Sequence, residues 1–269
     1  MNVNDGINGI IKKIYEARVV IIRDIVRNVD IDSWVLPCFK AYILNSITLR
    51  LVSCIRKGKD VDINRLTSRI RRLLSSKIEM LSNICQIYRE VLMNNPRIVV
   101  DIGCGLGLNL SITQAYIDKP LLLGIDKDLY FLKILKKLSP ETEVILADAS
   151  MLPLRNDSVE AAFCTAVLHE LPNLEVITEA SRVLKNNGGI LISDVVLRFI
   201  PSWLLNIIRQ LKVKLGLEPE TPYTLKQVKS SIELQGMHII KTYTYWKLLA
   251  IGIAVLVARK ESCNLGLGQ

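Results

Sequence analysis

No two cysteines of this chain stand at C-x-x-C spacing, which removes a zinc site and a dithiol redox pair from the reading. The six cysteines, Cys38, Cys54, Cys85, Cys104, Cys164 and Cys263, occur singly and mostly inside apolar runs, so no disulfide framework is expected and no metal site is indicated. No secretory leader is expected either, and together these readings lead to the expectation of a reducing, cytoplasmic location. Long apolar runs are few. The longest, LLAIGIAVLVA at 248–258, is too short to cross a bilayer as a helix and is rich in β-branched residues, so it reads as a buried strand and no transmembrane segment is expected. Histidine is nearly missing as well: His169 and His238 are the only two.

What remains is a chain of 269 residues, half of them apolar, enough to bury a large core and to exclude disorder. The length suits one large domain, or one domain with a smaller appendage. Of the net charge of +9, +7 falls on residues 1–95 and +2 on the rest. A basic excess confined to one end suggests an anionic partner or simply a solvated face.

The pattern along the chain divides at Pro96. Before it, isoleucines 7, 10, 11, 14, 21, 22 and 25 recur at helical spacing, a second helix is predicted over 39–57, and a third apolar stripe runs from about 62 to 93. After it, short β-branched runs alternate with helices, the pattern of a parallel sheet built from βαβ units. Strands are predicted at 97–101, 121–125, 143–147, 159–165, 189–195, 237–243 and 248–258, with helices at about 106–117, 128–138, 172–184 and 224–235. Only KTYTYWK separates the last two strands, too little for a crossover, so they should form an antiparallel hairpin. The fold class expected is α/β: a seven-stranded, mostly parallel sheet with an antiparallel last strand, preceded by an all-α region at 1–95. The sheet domain would run from 96 to 260, with an insertion at 197–222 and a flexible tail at 261–269.

The chemistry gathers at the strand ends. In IVVDIGCGLGLNL, residues 98–110, the glycines at 103, 105 and 107 lie two apart, which puts Leu108 where a dinucleotide-binding turn needs its third glycine. Asp101, at the strand tip, would repel a pyrophosphate but favour a ligand carrying an ammonium and a sulfonium. Asp126 ends the second strand, where a carboxylate accepts hydrogen bonds from both ribose hydroxyls. Asp148 follows the third strand and can accept from an adenine amino group. Three acidic residues thus stand at the edge where open α/β sheets bind ligands.

In order and spacing, VVDIGCGLGLNL, LLGIDKD, ADASMLPLRNDSVEAAFCTAVLHELPN and EASRVLKNNGGILISDVV resemble the motifs of class I S-adenosylmethionine-dependent methyltransferases, in particular the ubiquinone- and menaquinone-biosynthesis-like group. The resemblance covers 97–196 by motif and 224–258 by architecture, and leaves 1–95 uncovered. It implies that S-adenosyl-L-methionine is the cofactor and S-adenosyl-L-homocysteine the product. Asp101, Gly103 and Gly105 would line the methionine end, Asp126 the ribose, and Asp148 with Ala149 the adenine. Cys104, Lys127 and Ala166 complete the implied cofactor-binding set, and His169 and Glu170 would border the methyl group and its acceptor as candidate bases.

Two further absences bear on the acceptor. The Asp/Asn-Pro-Pro-Tyr motif of many nucleobase and glutamine amino-methylating enzymes is replaced by CTAVLHE, and Cys164 has no neighbouring base that would make it a covalent nucleophile, so it reads as core. The insertion mixes Phe199, Ile200, Trp203, Leu204, Ile207, Ile208 and Leu211 with Arg198, Arg209, Lys212 and Lys214, which suggests an amphipathic helix over the mouth of the cleft. A small, apolar or lipid-like acceptor fits its inner face, and an anionic membrane surface its basic one. An alternative is RNA methylation, with Arg65, Arg69 and Arg72 contacting phosphates. A silent cofactor-binding scaffold is a third reading, and the N-terminal helices are also suited to forming a homodimer.

Overall fold

A computed structural model of the chain describes residues 3–26, 36–57, 78–198, 201–216, 222–246 and 251–261, with the single residues 59, 62, 65 and 68. Three helices come first, α1 (Val3–Val26), α2 (Leu36–Arg56) and α3 (Ile78–Leu92). The alternating part follows as β1 (Ile98–Ile102), α4 (Leu108–Tyr116), β2 (Leu121–Asp126), α5 (Leu129–Leu138), β3 (Glu143–Leu146) and β4 (Val159–Thr165). It continues through α6 (Glu175–Val183), β5 (Leu184–Leu197), α7 (Ser202–Lys214), β6 (Tyr223–Thr224), α8 (Leu225–Leu234), β7 (Met237–Trp246) and β8 (Ile251–Lys260).

The sheet order is β3-β2-β1-β4-β5-β8-β7. β1 to β5 run parallel, and β8 lies antiparallel to both β5 and β7, so the last two strands form the expected hairpin. Strand order reverses between β1 and β4, which marks the carboxyl ends of these strands as the ligand edge. The sheet has eight strands rather than seven. The extra one, β6, is a two-residue strand parallel to Val196 and Leu197 at the end of β5, too short to carry any periodicity. It leads directly into α8, where the Thr224 hydroxyl accepts from the Gln227 amide at 3.2 Å and the Gln227 side chain accepts from the Thr224 amide at 2.9 Å. This reciprocal cap fixes where the insertion ends.

Both faces of the sheet are covered, as a parallel sheet requires. On one side Val176, Ile177, Val228 and Ile232, from α6 and α8, pack with Ile102, Ala162, Ile192 and Leu256. On the other, Leu110 and Leu135 pack with Phe163 and Val257, and Ile7, Ile14, Ile43, Ile47 and Leu51 of α1 and α2 belong to the same cluster. α1 and α2 therefore form an outer layer on α4 and α5, while α3 lies directly on β5 and β8, and none has a core of its own. α2 is the one helix among the described residues long and apolar enough to cross a membrane by length and composition, and much of that apolar surface is buried here in the core.

One expectation fails. Cys38 on α2 and Cys85 on α3 form a disulfide, with Cα atoms 5.9 Å apart. Forty-seven positions separate the two in sequence, and neither has a motif around it, so only the packing of α2 against α3 brings them together. The bond also removes the cysteine argument for a reducing compartment. Cys54, Cys104 and Cys164 are free, and Cys164 is buried in the core as expected.

Candidate active site

The carboxyl ends of β1, β2 and β4, with the turn after β3, open on one cavity of about 890 Å3, a size that suits a nucleoside-bearing ligand. Its floor is the loop after β1, where Gly103, Gly105 and Gly107 all adopt positive φ (69°, 49° and 73°). The amides of Gly103 and Cys104 donate to the Ile125 carbonyl at 2.8 and 2.9 Å, which ties the loop to the tip of β2. At Gly103 a Cβ would stand 2.2 Å from a methyl of Val167, whereas at Gly105 it would meet nothing within 4 Å. Gly103 is thus needed by the fold, and Gly105 leaves the floor of the cavity open.

Asp126 organises this floor. Its carboxylate accepts from the Gly105 amide at 2.7 Å and from the Asp128 amide at 2.8 Å, so the acid that ends β2 also clamps the glycine loop. Asp148, in the turn after β3, accepts from the amide and hydroxyl of Ser150 at 2.8 and 2.5 Å. Those bonds hold its carboxyl below the usual range. Lys127 and Glu170 face each other at 3.5 Å from the ends of β2 and β4, a solvent-exposed pair worth little energy that sits beside the cleft.

Asp101 lies beneath the cavity rather than on it. It is fully buried, accepts from the Asn109 side-chain amide at 2.7 Å, and leaves its second oxygen without a partner. Burial raises its pKa to about 8, the Asn109 bond partly offsets this, and the Asp126 charge adds to it. Asn109 also donates to the Thr165 hydroxyl at 2.9 Å and accepts from the Tyr88 hydroxyl, so a buried chain of polar groups joins α3, α4, β1 and β4. Asn109 and Thr165 both line the cavity. Cys104 lines it too, but burial and the two nearby carboxylates push its thiol up, leaving it a neutral packing group.

The far side is built from the turn after β4. Ala166 has φ 58°, a left-handed conformation that is unusual for alanine, and its amide donates to the Ser193 carbonyl at 2.8 Å. Val167, Glu170, Leu171 and Pro172 continue this wall. His169 does not line the cavity. Its Nδ1 lies 2.7 Å from Oδ1 of Asp194, a nearly buried residue on β5, and the pairing fixes the ring while leaving Nε2 free.

Of the residues implied for the cofactor, Gly103, Cys104, Gly105, Asp126, Lys127, Asp148, Ala149 and Ala166 line one cavity and Asp101 stands behind it. Of the two candidate bases, Glu170 lines it and His169 lies next to it in the chain. Sequence reasoning missed Asn45 and Leu49, which bring α2 over the cavity, with the Asn45 side chain donating to the Leu106 carbonyl at 3.1 Å. It also missed Thr165, Asn109 and Asp194. An Asn at the start of α4 and an Asp inside β5 are the available signals for the last two, and α2 offers none.

The insertion departs from its expected placement. Trp203, Leu204, Ile207, Ile208 and Leu211 of α7 are exposed and line no part of the cavity, and among the insertion's described residues only Gly216, just beyond the helix, does so. The roofing expected of this helix falls to α2. Phe199 and Ile200 lie outside the described residues, as do Arg69, Arg71, Arg72 and Lys77, so only Arg65 of the basic stripe is described, and it is exposed.

A family model described as a methyltransferase domain matches residues 100–192. A Schizosaccharomyces pombe protein named as an uncharacterized methyltransferase is 29% identical over 99 residues, which is 37% of this chain and 39% of that one. The chain thus matches well under half the length of that relative. Geranyl diphosphate methyltransferase, solved with its diphosphate substrate and sinefungin, superposes with a TM-score of 0.55 at 12% identity, covering 73% of this chain and 81% of its own. The cyclase SpnF does so at 0.52 and 18%, covering 67% and 82%. This chain has the fold of these methyltransferases, and its residues 100–192 match the methyltransferase-domain model.

Proposed function

We propose that this protein transfers a methyl group from S-adenosyl-L-methionine to a small, apolar acceptor. The observation that carries the reading is the placement of Asp101, Asp126 and Asp148 at the ends of three adjacent strands around one glycine-floored cavity. The residues fit the cofactor. The unpartnered, buried oxygen of Asp101 suits an ammonium nearby, Asp126 keeps free lone pairs for ribose hydroxyls, and Asp148 is exposed toward the adenine end. When bound, the sulfonium supplies an activated methyl group, so the protein's part is positioning more than acid–base chemistry. Gly105 leaves room on the floor, and Ala166 and Val167 line the far side of the cavity. His169, held by Asp194, is the candidate base for an acceptor that must lose a proton. The apolar acceptor is supported by the far wall, where Val167, Leu171, Pro172 and Leu49 outnumber the charged groups.

Incubation with methyl-labelled cofactor, an organic metabolite extract and total RNA tests this. Label in the organic phase is expected. Label in RNA alone overturns the acceptor class, and calorimetric cofactor binding with no label anywhere makes the protein a scaffold.

A further inference from the structure

α7 carries its apolar surface outward. Trp203, Leu204, Ile207, Ile208, Leu211 and Leu215 are between 37% and 71% exposed, although they are large hydrophobic side chains. At 3.6 residues per turn they fall within an arc of about 140°, one continuous stripe. The opposite side of the helix is the one that packs: Leu205 is buried, and Asn206 accepts from the Gln227 side chain at 3.2 Å. Lys214 falls within this arc, between Trp203 and Ile207, and Lys212 stands about 40° beyond its Ile208 edge; neither has an ionic partner among the described residues. The helix SWLLNIIRQLKVK contains three basic residues and no acidic one, in a chain of net charge +9. Ile251, paired with Leu197 at the end of β5 just before α7, is exposed as well.

An exposed apolar stripe with cations toward its C-terminal end and an aromatic at its N-terminal end is the pattern of a helix that lies in the plane of a lipid surface. We propose that α7 docks this protein on an anionic membrane, its stripe sunk among the acyl chains and its lysines at the headgroups. Gly216, which follows the helix, lines the cavity, so the docked helix holds the cleft mouth at the lipid surface, where an apolar acceptor dissolved in the bilayer is reached without crossing water. That last consequence rests on the apolar-acceptor reading above; the docking itself does not.

The test is co-sedimentation of the full chain with phosphatidylcholine vesicles, with and without phosphatidylglycerol, alongside calorimetric titration of the cofactor on the same preparations. Binding to the anionic vesicles is expected. It should fall at least about tenfold in the double variant Ile207→Glu with Leu211→Glu. Lys212→Gln with Lys214→Gln should lower it by roughly tenfold on anionic vesicles only. All these side chains are on the surface, and unchanged thermal unfolding and cofactor affinity will show that the variants fold. No vesicle binding by the wild-type chain, or equal binding by the glutamate variant, overturns the proposal. So does a dimer in sedimentation velocity that the glutamate variant dissociates without any vesicle binding, or an affinity for RNA that this variant loses instead. Cofactor binding without vesicle binding removes the docking and leaves methyl transfer standing. Vesicle binding without cofactor binding does the reverse.

Discussion

The floor of the cavity and its roof draw their residues from the chain in opposite ways. The floor comes from short segments, each a strand end and the turn after it: Asp101 to Gly107, Asp126 to Asp128, Asp148 to Ser150. Its hydrogen bonds stay within and between those turns, as when the Asp126 carboxylate accepts from the Gly105 and Asp128 amides. The roof and far wall are gathered from distant places: Asn45 and Leu49 on α2, Thr165 to Pro172 after β4, Asp194 on β5 and Gly216 beyond α7. The fold does not by itself specify what is done on such a floor, since the cyclase SpnF has a similar fold at a TM-score of 0.52 and 18% identity. On the methyl-transfer reading, the acceptor is met by the roof and far wall.

The largest expected effect tests the far side alone. Replacing His169 with Gln should lower kcat by about 100-fold or more while leaving the cofactor's dissociation constant unchanged, because the ring pairs with Asp194 and not with the floor. Steady-state kinetics and calorimetry on the same variant check it. An unchanged kcat would reduce the His169–Asp194 pair to packing and point to a thiolate or carbon acceptor that needs no base.

Next come the two glycines, which separate fold from function within the floor. Gly103→Ala combines a left-handed backbone with a Cβ 2.2 Å from a Val167 methyl, and should cost about 2–4 kcal/mol of stability. Gly105→Ala has the same backbone problem but no neighbour within 4 Å, so about 1–2 kcal/mol is expected, with a larger loss of cofactor affinity than of stability. Denaturant unfolding and cofactor titration of the pair should show that crossover. Asp126→Ala should weaken cofactor binding by roughly 1–3 kcal/mol, because it removes both the ribose acceptor and the clamp on Gly105. Unchanged affinity in calorimetry would refute the assignment.

Asp101 adds a pH test. Its folded pKa, raised to about 8, lies above that of the unfolded chain, so the folded state holds the proton more tightly. Stability from this group is fully present at low pH and is lost as pH rises toward and through about 8. Thermal scans should show the wild-type Tm falling by a few degrees between mildly acidic and mildly alkaline pH, and Asp101→Asn losing that dependence. An ammonium beside the carboxylate favours the charged form, so cofactor should bind more tightly as pH rises through the same range, again only in the wild type.

Legibility followed the same division. Strand ends and glycine spacing are local, so the sheet, the hairpin and eight of the nine cofactor candidates at the cavity could be read from contiguous residues. β6 was missed because two residues have no period; Ala166 was among the candidates, but its left-handed backbone was not foreseen, because a positive φ at alanine leaves no trace in composition. The Cys38–Cys85 bond and the Asn45 contact were missed for a different reason: each depends on how α2 packs against elements 47 or more positions away. α7 shows the limit of amphipathic patterning. The sequence gives two faces, but only packing decides which one turns outward.

The smallest effect concerns one of the roof's polar contacts with the floor, the other being the exposed Arg56–Asp128 ion pair at 2.9 Å. Asn45 is partly buried, and its side chain donates to the Leu106 carbonyl at 3.1 Å, so Asn45→Ala should cost about 0.5–1.5 kcal/mol of stability. The Cys38–Cys85 bond still anchors the start of α2, which limits how far the helix can lift. Cofactor affinity should therefore change by less than about threefold, with the acceptor's KM rising, because a hydrogen bond of this kind contributes only modestly to either state. A loss of cofactor affinity as large as that of Asp126→Ala would place α2 in the cofactor half of the site. The boundary between donor and acceptor would then run through the helical layer and not along the β4 turn.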